Sequence, residues 1–186
     1  MKYKLLTEET KVHNGVTLYR IQSLSNFSDV KSGDKGGWIE KESNLSQYDN
    51  AWIYDNAMVY GNAIVYRDAK VYNNAWIYDN AKIYDNAWIY DNAKVYGNAI
   101  VCKDAKVYND AEVYNDSIVF RNARVYGHAK IYDNARVYRD AEVYGGAIVF
   151  GNARVCGDAK VYDKARVYGN AQVYGTAKVS RNTEIY

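Results

Sequence analysis

Proline is absent from the 186 residues, and histidine, cysteine and methionine occur only twice each. Without proline there are no rigid kinks and no proline-rich spacer between modules. Two cysteines, Cys102 and Cys156, supply neither a disulfide framework nor a Cys/His metal cluster. No run of about 18 apolar residues could cross a bilayer as a helix, and the opening MKYKLLTEET lacks the apolar core of a signal peptide. The expectation is one soluble, cytoplasmic chain with no membrane contact. The net charge of +2 is too small to imply a polyanionic partner, although residues 101–186 carry 13 basic against 10 acidic groups. No glycine-rich phosphate loop or Ser/His/Asp order appears, so no cofactor and no metal are expected. The corner carboxylates Asp55, Asp79, Asp85, Asp91 and Asp133 each sit beside Asn or Gly, without the clustered oxygens that calcium demands.

What the chain has in excess is tyrosine, 21 residues of it. Most fall in one six-residue phrase that repeats without insertion from Ala51 to Tyr186, beginning AWIYDN, AMVYGN, AIVYRD and ending in a truncated TEIY. Position one is Ala except at Ser117 and Thr183, and position three is always Val or Ile. Position four is Tyr except at Cys102, Phe120, Phe150, Cys156 and Ser180. A short fixed period marks a solenoid, whose units bury their apolar side only by stacking on each other. Positions one and three alternate with two and four, so Ala and Val point inward while position two and Tyr point outward. Position six is mostly Asn or Asp, with His128 and Gly146 as variants. These types suit a corner needing positive φ, so position six is expected to hold that conformation.

Column patterns fix the number of hexads per turn. Arg67, Lys103, Arg121 and Arg139 share position five at separations that are multiples of 18, and Asp68, Asp104, Asp140 and Asp158 follow them. A period of 12 fits Trp52, Ile64, Trp76, Trp88 and Ile100 but fails afterwards. Eighteen residues per turn predicts three flat strands around a triangular core and seven or eight turns. Cys102 and Cys156 then share a column three turns apart, about 14 Å at the strand spacing. A disulfide spans about 7 Å between Cα atoms at most, so both are expected to be free thiols.

Residues 1–44 read as a cap and 45–186 as the solenoid. Lys2–Leu6 and Lys11–Ile21 are extended runs, the second interrupted by the turn His13-Asn14-Gly15, a strong hairpin signal. Gly33, Gly36 and Gly37 read as a loop leading to Trp38-Ile39. Such a lid would cover unpaired backbone and the apolar cross-section of the first turn.

The string A-x-[VI]-Y-x-[ND]-A resembles the hexapeptide repeat of the left-handed parallel β-helix superfamily. The segment YRIQSLSNFSDVKSGDKGGWIEKESNLS is similar to the cap of bacterial and prophage proteins of that superfamily, labelled hexapeptide-repeat transferases. The resemblance implies an all-β, single-stranded left-handed parallel β-helix with a small N-terminal hairpin cap. The chain departs from the superfamily's enzymes at position four, Tyr where they usually carry a small residue. Those enzymes usually place a catalytic His and acyl-carrier contacts in loops extruded from the coil, and here the register never slips.

The reading that follows is a non-catalytic rigid scaffold that self-associates or binds a macromolecular partner through its tyrosine faces. The alternative is an acyltransferase-like enzyme using His128 or His13, and a further one is a phage-related surface-binding or anti-defence module. Tyr54, Tyr72 and Tyr90 belong to ladders of rings offset up each face, while Trp52, Met58, Trp76 and Trp88 of the early hexads form an outward apolar patch that the cap or a second subunit must cover. With Arg67, Lys103, Arg121 and Arg139 they make the candidate binding surface. A homo-oligomer is expected through the early apolar turns or an open final turn. Ring edges rather than faces disfavour nucleic-acid and glycan stacking.

Overall fold

Alternation of small or β-branched residues with tyrosine dictates short strands with one buried side. The computed structural model of the protein describes residues 1–186. It is an all-β parallel solenoid of about eight turns, 18 residues to the turn. Three sheets form its faces. The first runs from Met58–Val59 to Glu184–Ile185, the second from Trp52–Ile53 to Lys178–Val179, and the third from Ile64–Val65 to Gln172–Val173. Within each sheet neighbours pair in parallel at a register of 18, as in Trp88 with Lys106 and Ile89 with Val107. Ala and Val or Ile from all three faces fill one continuous core, with almost every such side chain fully buried. Ser117, the buried exception at position one, donates from Oγ to the Tyr114 carbonyl at 2.8 Å. Cys102 and Cys156 are free thiols.

The corners correct the expectation about φ. Positive φ falls at position five in every hexad from Asp55 to Arg181, at values from 49° to 73°, and never at position six, Gly146 included. Position five is where the chain leaves one face for the next, and its Gly, Asp and Asn suit the left-handed region. Arg67, Lys103, Arg121, Arg139 and Arg181 occupy it as well, against their intrinsic preference. Asparagine at position six serves another purpose, a side-chain ladder between turns. Asn62 Nδ2 donates to Asn80 Oδ1 at 3.2 Å, Asn80 to Asn98 at 3.1 Å, and Asn98 to Asp116 at 2.9 Å.

Three strands cap the first turn: β1 (Tyr3–His13), β2 (Val16–Ser23) and β3 (Lys35–Ile39). β1 and β2 form the expected hairpin about Asn14 and Gly15, both at positive φ. β3 pairs antiparallel with β2 and parallel with Met58–Val59, joining the hairpin to the first face. Gly36 and Gly37 are therefore strand residues, not loop. Their missing side chains make room for the solenoid, since a Cβ on Gly36 would lie 2.6 Å from the Ile53 carbonyl oxygen. Lys2 plugs the top, its ammonium donating to the Asp49 and Ala51 carbonyls at 2.9 and 2.8 Å. Burial there lowers its pKa to about 8, although the Asp49 carboxylate pulls the other way.

Candidate functional site

The cap decides which apolar residues stay accessible. Trp52 is 1% exposed and Met58 3%, so neither can be part of a binding surface. Trp52 is covered by Tyr3 and Phe27, with ring centroids at 6.1 and 5.3 Å. Met58 packs with Leu18 and Tyr60. Trp76 is half-covered by the hairpin tip, with the His13 ring edge-on at 4.5 Å. Trp88 lies beyond the cap and is 39% exposed. The residues read as one outward patch are thus divided between two faces, with Trp52 and Met58 closed by the cap, Trp76 half-covered and Trp88 left open.

Tyrosine ladders form on all three faces. On the first they run unbroken from Tyr60 through Phe150 to Tyr186, with adjacent centroids 4.8 to 5.9 Å apart. On the third, Cys102 and Cys156 interrupt them, leaving the stacked pairs Tyr66–Tyr84 and Phe120–Tyr138. On the second, Tyr54 stacks on Tyr72 at 4.3 Å, and stacking resumes at Tyr90–Tyr108. No stacked contact joins Tyr72 to Tyr90; there Trp88, two residues before Tyr90 on the same turn, meets Tyr72 at an interplanar angle of 61°. The break opens a notch of about 350 Å³ lined by Tyr72, Asn73, Trp88, Tyr90 and Lys106.

Trp88 and Lys106 also line a longer groove of about 720 Å³ on the same face. One wall is the position-six row Asp68, Asn86, Asp104, Asn122 and Asp140; the other is the position-two row Lys70, Trp88, Lys106 and Arg124. Asn86 Nδ2 donates to Asp104 at 3.2 Å and Asn122 to Asp140 at 2.9 Å, which fixes the first wall. Lys106 and Arg124 make no ion pair within the chain. The Lys106 ammonium sits over the Trp88 ring at 4.6 Å. Ser28 from the cap closes the groove at its N-terminal end. Beside it the Asp29 carboxylate accepts from Lys70 Nζ at 2.6 Å and from the Tyr54 hydroxyl at 2.8 Å. Desolvation alone would raise the Asp29 pKa; these hydrogen bonds outweigh it and hold the group at about 2. Burial and the Asp29 contact push Tyr54 up in turn.

Of the residues singled out from the sequence, the second face brings together Tyr54, Tyr72, Tyr90 and Trp88. Arg67, Lys103, Arg121 and Arg139 line one corner beside them, as the period of 18 requires, with Arg67 paired to Asp85. Lys106 and the role of Asp29 were not singled out. Lys106 was findable as the residue 18 after Trp88, whereas Asp29 lies in aperiodic sequence that gives no such signal.

The histidines are apart. His13 packs between Tyr60 and Trp76 on the first face, its pKa lowered by burial and by Lys11. His128 stands at the corner between the second and first faces, its side chain 78% exposed and Nδ1 3.8 Å from Asp110. It ends a polar trough of about 710 Å³ along that corner, lined by Asn, Asp and Gly.

Fold and surface together define a parallel β-solenoid of six-residue repeats. Residues 51–67 and 129–145 match the family described as YdcK Beta solenoid repeat. A stretch of 59 residues is 39% identical to the protein named uncharacterized acetyltransferase YdcK, from Escherichia coli (strain K12). That similarity covers 28% of this chain and 18% of the relative, so the chain spans under a fifth of the curated protein it matches. Both findings support the hexapeptide-repeat resemblance.

Proposed function

We propose that the chain is a non-catalytic rigid scaffold that presents its second face to a macromolecular partner. The observation that carries this reading is the unbroken register from Ala51 to Tyr186, with every turn closed on its neighbours and no loop extruded from the coil. A flat, prepaid geometry suits recognition, because side chains held in ladders lose little further freedom on binding. Trp88 with Tyr72 and Tyr90 supplies the large aromatic contact that such surfaces use. The partner is either a second copy or another macromolecule, and light scattering on wild type and Trp88→Lys separates these. A dimer that dissociates in the variant assigns the face to self-association.

Acetyl transfer is the second reading, favoured by the relative's name and by the Asp110 carboxylate 3.8 Å from His128. A general base needs an acceptor held within hydrogen-bond reach, and the trough around His128 is open and lacks an apolar wall. Titration with acetyl-CoA is expected to show no saturable binding and no turnover. Turnover that disappears in His128→Asn overturns the scaffold reading.

A further inference from the structure

The groove on the second face has a repeat, a charge pattern and a platform, and together these specify a ligand class. Its walls repeat once per turn. The flanking rings Tyr90, Tyr108 and Tyr126 measure that step at 4.7 and 4.9 Å. A ligand that engages successive turns equally must advance by the same distance per unit. An extended peptide advances about 3.4 Å per residue, so its side chains fall out of step within a few turns. A hexopyranose ring in a straight, equatorially 1,4-linked chain advances by nearly the height of one turn, with successive rings facing opposite ways, so that like faces return every second turn, as Asp and Asn do along the position-six wall. An α-linked chain coils away from a straight column.

Charge removes the next competitor. Asp68, Asp104 and Asp140 oppose Lys70, Lys106 and Arg124, so the groove is balanced. Lys70 is moreover already held by Asp29. Polyanions such as single-stranded nucleic acid gain affinity from net positive charge, and the lining of this groove has none, its three carboxylates matching its three cations. What remains is a row of acceptors and amides facing a row of donors, the complement of a neutral polyhydroxylated chain. Trp88 adds a ring tilted 61° to Tyr72, outside the ladder geometry that turns the tyrosines edge-on to solvent. The cation covering it, Lys106, is a flexible ammonium without an ion-pair partner, free to swing to a hydroxyl.

We propose that this groove binds a neutral β-1,4-linked hexopyranose chain, with one sugar stacked on Trp88 and its neighbours hydrogen-bonded to Asn86, Asp104, Lys106 and Asn122. The proposal rests on the reading of the second face as a binding surface and names its ligand. The tyrosine edges, read from the sequence as poor sugar platforms, are not what the proposal uses; its platform is the indole of Trp88, where the ladder is broken.

The test is isothermal titration of the full chain with cellohexaose and with chitohexaose, using oligogalacturonate and single-stranded DNA as charged controls. At least one neutral hexamer is expected to bind. Trp88→Lys should weaken it about tenfold or more. That variant places at Trp88 the residue found one turn above and one turn below, at Lys70 and Lys106, so it retains the coil. His128→Asn, at the other corner, is expected to bind as wild type does. Failure of both hexamers, unchanged binding in Trp88→Lys, or tighter binding of either charged control overturns the proposal. Acetyl-CoA turnover lost in His128→Asn would overturn the scaffold reading separately, whichever way the glycan titration falls.

Discussion

At the scale of single residues, the repeat works by assigning each position one physical task. Val and Ile at position three fill the core, and Ala at position one is small enough to share it from three sides. The demanding position is five, which adopts the left-handed conformation in every turn. Gly97 stands there at φ 67°, and a Cβ would lie 2.7 Å from the Asn115 amide nitrogen. Gly97→Val is expected to destabilise by about 1–3 kcal/mol, combining strained backbone with a close contact. Arg121 holds the same conformation at φ 63° without an ion pair, and Arg121→Asn should stabilise by about 1 kcal/mol. Urea midpoints of the two variants, moving in opposite directions, check this; a neutral Gly97→Val would show that the corner tolerates side chains.

At the scale of elements, the cap and the solenoid are joined by contacts that no repeat encodes. β3 continues the first face, Lys2 seals the top, and the Asp29 loop is latched to Tyr54 and Lys70. The latch has a pH signature. The folded Asp29 pKa, about 2, lies below its ordinary value of 3.8, so the native state favours the ionised form. Its stabilising contribution is present above pH 3.8 and is lost as pH falls from there through about 2. Asp29 is largely exposed and solvent screening keeps the effect small. The thermal midpoint of wild type should therefore fall more steeply between pH 4 and 2 than that of Asp29→Asn. Parallel curves for the two proteins would remove the latch from the account. The hairpin at Asn14-Gly15 is legible in the sequence because a two-residue turn is a local property, whereas Gly36 and Gly37 look like loop there because their packing against Ile53 is remote in sequence.

At the scale of the molecule, the solenoid is quasi-one-dimensional, and each turn touches only the turns beside it. Excising residues 93–110, three whole hexads, joins Asn92 to Ala111 with every column still in its own face. The shortened chain is expected to fold cooperatively with a smaller denaturant m-value, in proportion to the surface removed. Excising four residues from the same region would put Val or Ile of position three at the positive-φ corner and the Asn, Asp, Arg or Gly of position five in the core slot of position one, and should abolish folding. Circular dichroism and urea titration of both deletions test the pair, and a folded four-residue deletion would contradict the strict register.

The sequence by itself determined the coil, its three faces, its period of 18 and the free thiols. Those properties follow from side-chain alternation and column spacing, which are visible along one strand of text. Only the tertiary structure decided which corner position carries positive φ, because Asn and Asp satisfy both the backbone at position five and the side-chain ladder at position six. It also decided that Trp52 and Met58 are core while Trp88 is surface. All three occupy position two, and nothing in their hexads distinguishes them. The difference lies in how far an aperiodic cap reaches down the first turns, a question of long-range packing that the repeat does not carry.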